Sequence, residues 1–244
     1  MRYLLEIKYK GTNYNGWQAQ PNSITVQSVL DQAISTIFNE TIISTGCGRT
    51  DTGVHASQFF LHFDAQGSPP NGFMHRINKF LPADISVHHI SQVADSFNAR
   101  FDATYRAYTY HCHFHKDAFL EPYSLLVRRD LLDVELMRQC FESLVQYQDF
   151  RAFCKTGGAQ THYLCDIYHA SLTEDIANNK LQFNIAANRF LRGMIRRIVG
   201  TMLAVGQAKI SPQTFHHHLA TQTYFDLNIS VPPQGLFLSD VRYK

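Results

Sequence analysis

The chain has 244 residues, 45% of them hydrophobic and 17% charged. That is enough apolar side chain to close a sizeable core, and too little charge for an intrinsically disordered polymer. Lys and Arg number 22 against 20 Asp and Glu, a net charge of +2, which excludes a globally basic polymer binder and leaves room for a local basic track, because an anion feels the local field.

Arg2 and Glu6 interrupt the first apolar runs, so no signal peptide is expected. No stretch approaches the roughly 18 apolar residues of a membrane span. The five cysteines are odd in number, scattered and never spaced Cys-x-x-Cys, so neither a disulfide framework nor a zinc knuckle is indicated. The expected setting is a reducing cytoplasm.

Alternation from Tyr3 to Tyr9 predicts a strand, followed by a Gly/Asn-rich turn region from Gly11 to Gln20. Val26, Val29, Leu30, Ala33, Ile34 and Ile37 recur at helical spacing, with Thr25 at the N-cap. Strands are expected at Gln58–Phe63, Ile85–Ile90 and Thr104–Phe114, and Gln66–Gly72 between the first two reads as a surface loop. A helix is expected from about Asp133 to Val145, then strands near Leu164–Leu172 and Leu181–Ala187. A helix from about Arg189 to Val205, a short helix after Ser211-Pro212 and a strand at Leu236–Val241 complete the chain. These β-α-β-β-type units occur twice, which predicts an α+β fold. Two ferredoxin-like α/β halves, 1–97 and 98–244, would form a mixed, largely antiparallel sheet flanked by helices.

The most unusual stretch is Gly46-Cys47-Gly48-Arg49-Thr50-Asp51-Thr52-Gly53-Val54-His55-Ala56. Three glycines allow close backbone approach around one carboxylate. One reading is a turn whose Asp51 caps the backbone. A phosphate-cradling P-loop is excluded, because it needs Lys and then Ser or Thr after its last glycine and Val54 follows Gly53 here. Asp51-Thr52-Gly53 is also the tripeptide of aspartic proteases, which need two carboxylates sharing one proton. Arg49 would favour the ionised carboxylate instead, and a second copy of the chain would have to supply the second aspartate.

Residues Gly48 to Ala56 are similar to the signature of the TruA family of tRNA pseudouridine synthases. Further matches follow in the family's order: Gly16-Trp17-Gln18-Ala19-Gln20, Phe97-Asn98-Ala99-Arg100-Phe101 with Tyr108-x-Tyr110, Phe190 to Gly200, and Gly235-Leu236-Phe237-Leu238. The resemblance implies the pseudouridine-synthase fold, conversion of uridine to pseudouridine, and a homodimer acting on the anticodon stem-loop of tRNA at positions 38, 39 and 40. It implies Asp51 as the catalytic nucleophile and Arg196 as its cationic partner. Tyr108 would stack on the base and Leu236 would pack against it. Arg49 would enter the gap left by the flipped nucleotide.

The reaction rearranges bonds within one molecule, so neither a metal nor a redox cofactor is expected. It requires an ionised carboxylate delivered to an unstacked base. Burial would raise the pKa of that carboxylate and a nearby cation would lower it. The run Arg189, Arg192, Arg196 and Arg197 is expected to meet phosphates, joined by Lys79, Arg100 and Arg106, since guanidinium forks suit phosphate oxygens. Each of these side chains has a plainer reading too: an arginine on an amphipathic helix is commonly solvated, and Tyr108 and Leu236 also fit a core.

The chain departs from the family pattern at three places. Thr52 follows the nucleophile where alanine is usual, Thr109 stands between Tyr108 and Tyr110 where arginine is common, and the stretch from Thr156 to Asp166 lacks an arginine, with Cys165 near its place. These changes bear on substrate choice. His111, His113 and His115 alternate on one strand face, and a polar solvent-facing edge is expected there rather than a metal site. His216, His217 and His218 diverge around a helix and cannot converge on one ion. Cys47 is read as structural. Two other function classes stay open at this point, a catalytically inactive RNA-binding paralogue and a dimeric aspartic protease.

Overall fold

The computed structural model describes residues 1–154, 162–225 and 229–244. The chain divides into two compact units, Met1–Thr104 with Phe237–Lys244, and Tyr105–Leu236.

In the first unit, β1 (Arg2–Tyr9) lies between β3 (His55–Asp64) and β4 (Ile85–Val93), antiparallel to both. A two-residue strand, β2 (Thr45–Gly46), pairs with β3 on its way into the glycine-rich loop. The closing strand β9 (Leu236–Tyr243) adds to β3 in parallel, with His55 opposite Phe237. Alternation explains β1, since Tyr3, Leu5, Ile7 and Tyr9 are all buried. Helix α1 (Val26–Phe38) buries Val26, Leu30, Ala33 and Ile34. Thr25 caps it, its hydroxyl accepting from Ser28 N while the Ser28 hydroxyl accepts from Thr25 N. Asn39 ends it in the left-handed region.

Helix α2 (Phe73–Phe80) was not expected. Gly72 starts it with a positive φ, and only Phe73 and Ile77, one turn apart, are buried. Phe73, Met74, Ile77 and Phe80 do recur at helical spacing, but eight residues are shorter than the window over which such periodicity is read.

In the second unit, β5 (Ala103–His113), β8 (Lys180–Ala187) and β7 (Ile167–Asp175) form an antiparallel run in that order, β5 beginning at the tail of the first unit. The short β6 (Leu125–Leu126) pairs with β5 in parallel. Helices α3 (Val134–Glu142), α4 (Met194–Gly206) and α5 (Pro212–Thr221) belong to the same unit. Asp133 and Ser211 cap α3 and α5 with side-chain oxygens. Eleven of the thirteen residues of α4 are buried, so it is the unit's core helix. It begins five residues later than the sequence suggests. Gly193 adopts φ 70° and Met194 is the first helical residue, so Arg189 and Arg192 precede the helix. Each unit is thus α+β with largely antiparallel pairing.

The histidines of β5 correct one expectation. His113 is 1% exposed because β6 runs alongside, Leu126 standing opposite it and Val127 N donating to its carbonyl. Its Nδ1 has no hydrogen-bond partner. Burial holds the pKa values of His62, His111 and His113 below the ordinary value of 6.5. The unfolded chain therefore takes up protons near that pH that the folded chain refuses. This contribution to stability is complete above about pH 6.5 and declines as the pH falls below it. The thermal midpoint should drop between pH 7.5 and 5.5, and His113→Leu should reduce the drop. A midpoint constant over this interval would contradict the linkage.

Candidate active site

The loop from Gly46 to Val54 connects β2 to β3 and carries Arg49 and Asp51. It rests on the turn region that follows β1. Thr50 is buried, its hydroxyl 2.9 Å from that of Tyr9 and its carbonyl accepting from Trp17 N at 3.2 Å. Val54 N donates to the Asp51 carbonyl at 3.1 Å, closing a tight turn directly after the aspartate. Gly16 has φ +79°, and a Cβ there would lie 2.4 Å from the Thr50 carbonyl oxygen. Backbone therefore packs on backbone beneath Asp51, which only glycine permits.

The Gly-Trp-Gln segment is the platform of this loop. Trp17 is 1% exposed and its ring lies on Phe59 of β3, centroids 4.2 Å apart. Gln27 of α1 ties the platform to the strand entering the loop. Its buried amide donates to the Ser44 carbonyl at 2.7 Å and accepts from Ala19 N and Gln18 Nε2, both at 2.9 Å. Beyond the loop, His55 is fully buried, accepts from Gly11 N at Nδ1 (3.1 Å) and stacks on Phe237. A ring that accepts at Nδ1 carries its hydrogen on Nε2, so this histidine is a neutral strut of the loop. Cys47 is buried, with its sulfur 3.4 Å from Phe60 N. Asp51 itself is half-buried, while Arg49 and Thr52 are exposed.

A second group forms within the other unit. Tyr108 is half-buried on β5 opposite Ile185, its ring edge-on to Phe190 at 5.3 Å. Two residues on, Tyr110 is fully buried and donates to the Pro232 carbonyl at 2.8 Å. Burial raises its pKa, Cys112 adds to the shift, and the Arg196 charge opposes it. Arg196 projects from α4 and donates from Nε to the Val231 carbonyl at 2.7 Å, while Val231 N donates to the Arg196 carbonyl at 3.2 Å. This reciprocal clamp fixes the segment leading to Gly235, where a Cβ would lie 2.8 Å from the Tyr110 ring. Leu236 follows, buried. The Arg196 charge and Gly235 thus lie close to Tyr110, with Tyr108 two residues before it on the strand and Leu236 directly after that glycine; in the sequence Tyr110 stood out only through the Tyr-x-Tyr spacing.

The other arginines do not form a single helical track. Arg189 lies 3.3 Å from His162 Nδ1, Arg192 is exposed, and Arg197 donates to the Cys154 carbonyl at 2.8 Å. Thr109 donates to the Asn184 amide oxygen at 3.1 Å. Cys165 is buried, and its thiol is pushed up to about 12 by that burial. Residues 156–161 of the arginine-poor stretch lie outside the described residues. Among the described residues no three His, Cys, Asp or Glu side chains are grouped as a metal site would need, and no helix is long and apolar enough to cross a membrane.

The profile of the family described as tRNA pseudouridine synthase matches residues 6–102 and 142–244, and the chain belongs to that family. Within it, the chain falls in the TruA group and is an isomerase. It is 38% identical over 244 residues to the tRNA pseudouridine synthase A of Bacteroides fragilis, covering 99% of this chain and 96% of that one. Identity to the protein of the same name from Bacteroides thetaiotaomicron is 39%, over 99% and 90% of the two chains. For that from Colwellia psychrerythraea it is 35%, over 100% and 94%. Among solved structures, the archaeal box H/ACA sRNP Nop10-Cbf5 complex is similar at 10% identity with a TM-score of 0.34, over 82% of this chain and 44% of that one, too low to bear on the fold. With the family established, Asp51-Thr52-Gly53 carries no protease reading.

Proposed function

We propose that this tRNA pseudouridine synthase acts on uridines of the anticodon stem-loop, at positions 38, 39 and 40, with Asp51 as nucleophile. The reaction breaks the N1–C1′ bond, turns the base and joins C5 to C1′. The hydrogen of C5 leaves to solvent and N1 gains one, so atoms balance without a co-reactant. The observation that carries the assignment is the seating of Asp51. Its carboxylate stands on a loop whose flanking main chain is held by Trp17, Tyr9 and the glycine at position 16. A nucleophile fixed in this way loses little freedom on reaching the transition state.

For the second unit's group the proposed roles follow chemistry. Arg196, oriented by its bond to Val231, would supply positive charge that favours an ionised carboxylate. The Tyr108 ring would stack on an extruded base, worth roughly 1–3 kcal/mol, and Leu236 would give the uracil an apolar wall. Arg49, Arg189, Arg192 and Arg197 would contact the RNA. A cytoplasmic homodimer is part of the same reading.

Loss of the C5 hydrogen supplies the test. A tRNA transcript made with [5-³H]uridine should release tritium to water in proportion to pseudouridine formed. Replacing the uridines at positions 38–40 by cytidine should stop the release. Release that continues unchanged would place the reaction elsewhere in the tRNA, and none from any transcript would favour the inactive RNA-binding paralogue.

A further inference from the structure

The turn that follows β1 supports the Asp51 segment from both ends. Trp17 N donates to the Thr50 carbonyl at 3.2 Å, just before the aspartate. Just after it, the Tyr14 carbonyl accepts from Gly53 N at 3.4 Å, and Gly11 N donates to His55 Nδ1 at 3.1 Å. A Cβ at Gly11 would lie 1.9 Å from the Val54 carbonyl oxygen. Any shift of residues 11–17 is therefore passed to the main chain on either side of Asp51. Those residues belong to no helix or strand, so their stiffness comes from what they touch on the far side.

One residue braces that side. Asp84 lies in the tight turn between α2 and β4, where Ile85 N donates to the Pro82 carbonyl at 3.1 Å. Its main chain is anchored to the sheet: Ile85 stands opposite Tyr9, and Lys10 N donates to the Asp84 carbonyl at 2.9 Å. From this base the carboxylate takes two side chains of the turn. Oδ1 accepts from the Tyr14 hydroxyl at 2.5 Å and Oδ2 from Asn13 Nδ2 at 3.1 Å. Tyr14 is 5% exposed, so its ring has little room to move once the hydroxyl is held. Burial raises the Tyr14 pKa above the ordinary value of 10.0, and the Asp84 carboxylate adds to the shift. The hydroxyl thus keeps the proton it donates.

Resting on the reading of Asp51 above, we propose that Asp84 is a positioning residue for the reaction, setting the aim of the Asp51 carboxylate through Tyr14. The connection is short. Asp84 fixes the Tyr14 side chain, the Tyr14 carbonyl meets Gly53, and Gly53 is two residues from Asp51. A misplacement of about 1 Å at the reacting atoms costs on the order of a hundredfold in rate, so loosening the turn is felt in turnover. Affinity for tRNA, spread over many contacts, does not depend on the aim of one carboxylate.

The test is tritium release from [5-³H]uridine tRNA over a range of tRNA concentrations, expressed per folded molecule. Asp84→Ala and Tyr14→Phe should each lower kcat at least about tenfold and leave KM within about twofold. Combined, they should lose no more than either alone, because both break the same bond. Asp84→Asn is the rescue: its amide oxygen still accepts from Tyr14, and the exposed Asn13 is free to turn its own amide to match. Its kcat should return to within about threefold of the wild type. Wild-type kcat in Asp84→Ala and Tyr14→Phe, equal losses in Asp84→Ala and Asp84→Asn, or additive losses in the double variant would overturn the proposal. So would a lower thermal midpoint with kcat per folded molecule intact, the mark of a brace for the fold alone. Asp51→Asn measured alongside separates the two readings. Activity in that variant removes the nucleophile reading, whereas wild-type turnover by Asp84→Ala beside an inactive Asp51→Asn removes this proposal alone.

Discussion

Asp51→Ala is expected to abolish pseudouridine formation, by at least about 10³-fold, while tRNA binding changes by less than about threefold. The expectation comes from how the loop is built. Its frame runs through the Thr50 hydroxyl, the Thr50 and Asp51 carbonyls and the Trp17 and Val54 amides, all of which the variant keeps. What alanine removes is the carboxylate proposed to attack. Asp51→Asn separates charge from shape: it preserves size, loses the nucleophilic oxygen pair and should be equally inactive. If either variant turned over at near the wild-type rate, the carboxylate would be a structural cap, the plain reading its position at the start of a turn also allows.

Gly16→Ala should be among the most damaging small substitutions in the first unit. Left-handed backbone costs a non-glycine residue about 1–2 kcal/mol, and forcing a methyl into filled space costs about 1–3 kcal/mol more. Because the collision is with the Thr50 carbonyl at 2.4 Å, relief must come from moving the loop that carries Asp51. A loss of about 2–5 kcal/mol corresponds to a fall of roughly 4–20 °C in Tm for a chain of this size. The rate constant kcat should fall at least about tenfold in whatever fraction stays folded. Gly48→Ala is the control on the same loop, with open space in place of a backbone atom. Equal Tm values for the two variants would show that the close approach at Gly16 does not matter.

Long, strongly patterned elements were legible in the sequence for simple physical reasons. The alternation of β1, the apolar stripe of α1 and its cap Thr25 all act locally, and the structure uses them where expected; Asp133 and Ser211, expected only as helix starts, turn out to cap their helices. Features that depend on a distant partner were not legible. His113 is buried by a two-residue strand that no periodicity announces. Likewise, α4 starts at a glycine in left-handed conformation, and composition alone did not separate Arg189 and Arg192 from the helix that follows. For the site, the glycine-rich motif located Asp51, but not the platform beneath it. Gln27 and Trp17 hold that loop through contacts spanning 17 to 42 residues of chain.

The most direct measurement is nucleotide-resolution mapping of pseudouridine in bulk tRNA that lacks the modification, after incubation with the wild-type protein or Asp51→Asn. New pseudouridines at positions 38, 39 and 40 with the wild type, and none with the variant, are the predicted result. Modification confined to other parts of the tRNA, or an undiminished signal from Asp51→Asn, would contradict the account.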